Sequence, residues 1–228
     1  MQNLAPNQFF DLSGFAHAAI FDGCEYVWQA LDRIQEYLRV FPLGKIESQE
    51  QKYSYLVNPS QITIGQGTII EPGAYIKGPC IIGKNCHIRH GAYIRGDCII
   101  GDSCVVGHTT EIKHSIILNK SNAAHFAYLG DTILGSFVNL GAGVKCANLR
   151  LDGQEIVIHV NGQKIATQRR KFGAIIGDHG EIGCNSVLNP GTILAKNVHA
   201  YPSVNFGGYV EENSMVKPAT KVQIQKKS

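Results

Sequence analysis

Aliphatic side chains recur at every sixth position through the middle of the chain: Ile64, Ile70, Ile76, Ile82, Ile88, Ile94, Ile100, Val106, Ile112 and Leu118. Two positions before them sit mostly small residues, Thr68, Ala74, Cys80, Cys86, Ala92, Cys98, Cys104 and Thr110. Glycine follows them at Gly65, Gly83, Gly101 and Gly107. A helix would repeat at 3.6 residues and a lone strand at two. A period of six means a short strand plus a turn, repeated with the same side always inward. The phase slips between Leu118 and Leu134, resumes through Leu140 and Cys146, breaks over residues 148–173, and returns at Ile176, Ile182, Leu188 and Leu194. Such slips are read as points where loops leave the repeat, and loops commonly carry sites. In the second break, residues 155–160 and 164–167 flank Asn161-Gly162, the pattern of a β-hairpin.

Six-residue periodicity is the signature of the hexapeptide form of the parallel β-helix. Three hexapeptides close one triangular coil, so residues 18 apart stack at the strand spacing of about 4.8 Å. A single coil would leave its backbone edges unpaired, so the coils must stack. Known hexapeptide β-helices are left-handed. The expected fold is therefore an all-β solenoid, a left-handed parallel β-helix with a short N-terminal helical segment and an inserted hairpin. Residues 1–56 form the N-terminal segment, 57–217 the β-helix and 218–228 a basic tail carrying Lys221, Lys226 and Lys227 just beyond Lys217. Within the first segment, Val27, Leu31, Ile34 and Leu38 follow helical spacing, with Asp32, Arg33, Gln35 and Glu36 between them. That pattern predicts an amphipathic helix over residues 22–39, packed on the first coil or on a neighbouring subunit.

Composition narrows the setting. With 44% apolar and 17% charged residues the chain reads as a globular protein. No apolar run reaches the roughly 18 residues of a membrane helix, and the N-terminus lacks a signal-peptide pattern. A net charge of +3 gives no argument for nucleic acid. Seven cysteines, an odd number, read as reduced thiols in the cytoplasm. Cys80, Cys86, Cys98 and Cys104 occupy the small-residue slot of successive coils, where free cysteine serves as a small buried hydrophobe. They are not expected to bind metal.

Coil arithmetic also places charge. Lys77, Arg95 and Lys113 are spaced by 18 and each follows an inward aliphatic, so they form an outward column. Like charges opposed on adjacent strands destabilise, and a bridging anion would relieve that repulsion. His90 and His108 stack in the same way on a different face. Arg95-Gly96-Asp97 is similar to a fragment of the Arg-x-Asp signature of γ-class carbonic anhydrases. The pair of zinc histidines separated by four residues is absent, so no metal is expected.

The first phase slip contains Ala124-His125-Phe126-Ala127-Tyr128-Leu129-Gly130-Asp131, followed by Val138-Asn139-Leu140-Gly141-Ala142-Gly143. This resembles the acetyltransferase half of the bifunctional glucosamine-1-phosphate acetyltransferase/N-acetylglucosamine-1-phosphate uridyltransferase family, over roughly residues 61–217. Arg169-Arg170-Lys171-Phe172-Gly173-Ala174 is similar to the archaeal sugar-phosphate nucleotidylyltransferase/acetyltransferase branch. The resemblance implies His125 as general base with Glu111 orienting it. It implies Arg95 and Lys113 as phosphate-binding cations, Tyr128 on the sugar phosphate, and Asn139 and Asn148 on the sugar and its amine. Ala142 matches a backbone contact to acetyl-CoA, and Cys184 stands where the family has a cofactor-side serine. The family's lysine six residues after the second asparagine is Gln154 here, with Lys145 or Lys164 as possible replacements. A histidine can take the proton of an attacking amine near neutral pH, and backbone N–H groups at residues 141–143 are candidates for holding the oxyanion.

The expected activity is acetyl transfer from acetyl-CoA to the amine of glucosamine-1-phosphate, in UDP-N-acetylglucosamine synthesis. Family members are homotrimers with the site between subunits. No uridyltransferase domain precedes the repeat, so a separate enzyme is expected to supply that step. The alternatives are a sugar N-acyltransferase using acyl carrier protein and a non-catalytic β-helix assembly subunit. No nucleic-acid or membrane partner is expected.

Overall fold

The computed structural model of the chain describes residues 3–48 and 52–219. Most of the basic tail, including Lys221, Lys226 and Lys227, lies outside the described residues. Three eight-stranded parallel sheets form the sides of a triangular solenoid. In chain order within a coil, face I starts with Ile62–Ile64, face II with Ile69–Ile70 and face III with Tyr75–Lys77. Face III has one earlier strand, Tyr55–Val57, paired to Tyr75–Lys77. Successive strands pair in parallel, for example Ile64 with Ile82 and Ile76 with Ile94. The six-step aliphatics point inward and make one continuous core. Each fully buried Ile contributes on the order of 1.5–3 kcal/mol relative to exposure, so the core accumulates coil by coil.

The first phase slip is not a loop. Between Ile94 and Cys98 the edge joining face III to face I holds Arg95, Gly96 and Asp97. In the next coil only Lys113 and His114 lie between Ile112 and Ser115, yet Ser115 still pairs with Cys98. The following coil repeats the short edge with Gly130 and Asp131. Val106 therefore pairs with Ala123, Ile112 with Leu129 and Ile117 with Leu134, all at a spacing of 17. Ile117, not Leu118, is the inward residue. Leu118 takes the slot that Gly101 holds one coil earlier and is buried in an outer cluster. Shortening the edge by one residue keeps the ladder and shifts only the numbering.

The second break does leave the stack. Val157–Val160 pairs antiparallel with Gln163–Ala166 across Asn161 and Gly162, both at positive φ. Two left-handed residues match the twist of a tight hairpin. This arm folds back over face I.

Face I needs that cover. The central residues of its strands point outward by strand alternation, and they include Ile81, Ile99, Ile116, Ile133, Ile175 and Ile193, all buried. The N-terminal segment and the arm lie on this column, forming a second core with Trp28, Leu31, Ile34, Leu38, Ile156, Ile158 and Phe172. The helix α1 spans Gln29–Val40, starting later than the spacing predicts; a 3₁₀ turn over Ala18–Phe21 and Gly23 at positive φ precede it. It packs along the flank of the solenoid rather than on the first coil. Gln35 Nε2 donates to Asp97 Oδ2 at 2.9 Å, and Trp28 packs on Phe172 with ring centres 6.0 Å apart. Among the described residues no helix is long and apolar enough to cross a membrane.

Six cysteines are buried and Cys184 is exposed. Cys80 and Cys98 pair across adjacent coils, and burial pushes the Cys98 thiol up to about 12. These are packing residues, as their slots indicate.

Two outcomes follow from this architecture. Trp28→Ala should cost about 3–5 kcal/mol, the usual loss for an aromatic in a closed core, while Leu151→Ala on the exposed arm should stay within about 0.5 kcal/mol; thermal and chemical denaturation would read both. A thiol reagent applied to the native protein should modify one cysteine, Cys184, and reach the other six only after unfolding. Mass spectrometry of the labelled chain would distinguish these outcomes.

Candidate active site

The edge between faces II and III carries an imidazole column. Thr109 N–H donates to the His90 carbonyl, Phe126 N–H to that of His108, and Gly143 N–H to that of His125. Asn185 N–H donates to the Ala142 carbonyl, so the stacked positions read His90, His108, His125, Ala142 and Cys184. The His90 and His108 rings stack with centres 6.1 Å apart. His125 joins them 17 residues after His108 only because the preceding edge is short. Its side chain is exposed, and among the described residues its ring makes no hydrogen bond.

A cleft opens on each side of this edge. On face II, a cleft of about 390 Å³ is lined by Asn139, Glu181, Cys184, His199, Tyr201 and Met215. Asn139 Nδ2 donates to Glu181 Oε2 at 3.1 Å there. On face III, a recess of about 350 Å³ is lined by Phe126, Tyr128, Lys145, Asn148, Leu149 and Val187. Ala142 and Cys184 thus share an edge with His125, while Asn139 and Asn148 lie on opposite sides of it. Lys145 lines the recess and donates from Nζ to the Gly143 carbonyl at 2.6 Å. Lys164 sits on the arm, away from it, and Gln154 lies at the start of the arm with its N–H bonded to Asp152.

On face III the predicted cation column is present in register, Lys77 beside Arg95 beside Lys113. Carboxylates of the chain itself relieve the repulsion. Arg95 Nη1 donates to Glu111 Oε1 at 2.6 Å, and the guanidinium lies 5.8 Å from the Tyr93 ring centre. The Glu111 hydrogen bond raises the Arg95 pKa. Glu111 therefore engages Arg95 rather than the imidazole within this chain. Lys113 Nζ donates to Asp131 Oδ2 at 3.0 Å, and Asn148 Nδ2 donates to the same oxygen at 2.6 Å. Tyr128 Oη donates to Asn148 Oδ1 at 3.4 Å, and burial pushes its pKa up. The other Asp131 oxygen faces Arg169 Nη2 at 3.5 Å.

Asp131 and Arg169 had no assigned role in the sequence reading. An 18-residue repeat would stack Asp131 on Lys113, but the shortened edge puts Gly130 in that register and Asp131 one place beyond it, from where its carboxylate still reaches the Lys113 ammonium. Nothing in the sequence brought Arg169 to that carboxylate, because the arm intervenes.

A family profile described as the GMPPB C-terminal domain matches residues 76–170. A bifunctional sugar-1-phosphate nucleotidylyltransferase/acetyltransferase from Sulfurisphaera tokodaii is 40% identical over 90 residues, covering 40% of this chain and 22% of that protein. The bifunctional protein GlmU of Methanococcus vannielii is 33% identical over 116 residues, 51% of this chain and 28% of its own length. An uncharacterized acetyltransferase of Escherichia coli, YaiX, is 34% identical over 144 residues, 63% of each chain. A crystal structure of the Francisella novicida UDP-N-acetylglucosamine acyltransferase superposes with a TM-score of 0.45 at 15% identity, over 75% of this chain and 66% of that one. The chain spans about half the length of the bifunctional relatives it matches. The chain is a hexapeptide-repeat β-helix that is similar, over 40–51% of its length, to bifunctional sugar-phosphate nucleotidylyltransferase/acetyltransferase and GlmU proteins.

Proposed function

We propose that this chain moves an acetyl group from acetyl-CoA to the amine of an amino-sugar 1-phosphate, with glucosamine-1-phosphate as the acceptor and UDP-N-acetylglucosamine synthesis as the setting. The observation that carries this reading is the place of His125, exposed on an edge with one cleft on either side. A base at such a ridge can meet two substrates that arrive from opposite faces.

In this reading the acceptor lies on face III. Its phosphate is held by Arg95 and Lys113 with Tyr128, and Asn148 contacts the sugar. Charged donors suit a phosphate dianion and fix the amine in position. The acyl donor lies along the face II cleft, with its thioester near Ala142 and its chain passing Cys184, and Asn139 meets the sugar amine from that side of the edge. The free amine attacks the thioester carbon, and His125 takes the proton that its nitrogen gives up as the bond forms. The carbonyl oxygen then carries negative charge and needs a fixed donor. Gly141 N–H is bonded to the Ile182 carbonyl and Gly143 N–H to that of His125, which leaves Ala142 N–H for this role. Collapse of the adduct expels the CoA thiolate, which takes up the proton that His125 holds.

The same reading includes a cytoplasmic homotrimer. Face I is covered by the chain itself, so faces II and III are the ones left to meet neighbouring subunits. Glu111 orients His125 only if a substrate phosphate draws Arg95 away from it.

The test is release of free thiol from acetyl-CoA with glucosamine-1-phosphate, galactosamine-1-phosphate and UDP-glucosamine as acceptors. Glucosamine-1-phosphate should be the preferred acceptor. His125→Ala should lower kcat by about 10²–10⁴-fold, the usual worth of a general base, with the fold retained by circular dichroism. Activity that survives the substitution, or none with any of the three acceptors, would overturn the reading.

A further inference from the structure

Asp131 is a buried carboxylate, 4% exposed, at the edge where face III turns into face I. A charge in such a place must be paired or it becomes strongly unfavourable. Its partners come from three parts of the chain: Lys113 from the preceding coil, Asn148 from the following one, and Arg169 from the end of the inserted arm. The Arg169 side chain is only 11% exposed. Its Nε donates to the Lys171 carbonyl at 3.1 Å, and its Nη1 donates to Asp32 of α1. One guanidinium thus joins the N-terminal helix to the carboxylate that also holds Lys113. Phe172, three residues on, is pinned under Trp28, one turn before Asp32, so the junction is fixed by packing as well as charge.

We infer that Arg169 is a positioning residue for acceptor binding: by satisfying Asp131 from behind, it leaves the Lys113 ammonium with charge to offer an acceptor's phosphate. The charge count gives the reason. Lys113 and Arg169 balance Asp131 and the half-exposed Asp32; without Arg169 the cluster around Lys113 carries one net negative charge. Asp32 is more exposed than Asp131, with 57% of its side chain open to solvent, and its charge is correspondingly screened. Its part is to hold the guanidinium in place. The arm and α1, neither of which reaches the His125 edge, thereby set the electrostatics of the acceptor side. This inference rests on the amino-sugar phosphate reading for its kinetic consequence, but its structural core concerns Lys113 alone.

Two measurements test it. In steady-state kinetics, Arg169→Ala should raise the KM for glucosamine-1-phosphate by about 5–30-fold, the scale of coupling through a residue that touches neither substrate. The kcat and the KM for acetyl-CoA should stay within about threefold, unphosphorylated glucosamine should show no such penalty, and Arg169→Lys should recover part of the loss. Asp32→Ala should give a smaller change of the same kind. The second measurement needs no activity. Labelling of Lys113 by a neutral amine reagent, followed by mass spectrometry, should slow several-fold in Arg169→Ala, because among the described residues Lys113 is then the cation left to pair Asp131, and Arg169→Lys should restore the rate.

Unchanged Lys113 labelling in a folded Arg169→Ala protein overturns the inference. So does an active enzyme in which phosphorylated and unphosphorylated acceptors lose equally. Should no acceptor be acetylated while Lys113 labelling still responds, the proposed function fails and the role of Arg169 in setting Lys113 stands.

Discussion

The parallel hydrogen-bond ladder holds successive coils at the strand spacing of about 4.8 Å, so each outward side chain meets the residue one coil away. Nearly everything else in this protein follows from that constraint. It lines up inward aliphatics into a single core. It also lines up Lys77, Arg95 and Lys113 on one face and His90, His108 and His125 on one edge. A residue lost from an edge does not break the ladder. It changes which sequence positions become neighbours, and that is how His125 comes to sit 17 residues after His108.

The ladder also creates a problem that the rest of the chain answers. Isoleucines at the centre of the face I strands point away from the core, and a bare column of that kind would be an exposed apolar patch. The N-terminal segment and the inserted arm both fold onto it, so one of the three faces is covered by the chain itself. Their junction is where Trp28 meets Phe172 and where Asp32 meets Arg169. Covering the apolar column therefore brings a cation to the back of Asp131, and a packing requirement becomes an electrostatic one.

Electrostatics on face III differ from what a column of cations suggests when read alone. Glu111 and Asp131 interleave with Arg95 and Lys113, so the repulsion along the column is answered within the chain. The Arg95–Glu111 pair is half-exposed and of modest worth, and a ligand with two negative charges could compete for it. The Lys113–Asp131 pair is buried much more deeply and has two further partners. The two cations are thus prepared differently: Arg95 can be drawn away from its carboxylate, whereas Lys113 is held.

Much of this was legible in the amino-acid sequence. The six-residue period determined the solenoid, its inward residues, the cysteine slots and the cation column, because a repeat encodes its own register. The Asn161-Gly162 hairpin was legible for the same local reason, since two left-handed residues between apolar runs leave few alternatives. Leu118 marks where that reading failed: a one-residue deletion looks the same in sequence whether a loop departs or an edge tightens. Only the tertiary structure decided that the edge tightens, that the third histidine joins the other two, that α1 lies along face I, and that Arg169 reaches Asp131. Those are contacts between segments with no common period, and their partners are selected by burial and charge in three dimensions, which spacing along a chain does not record.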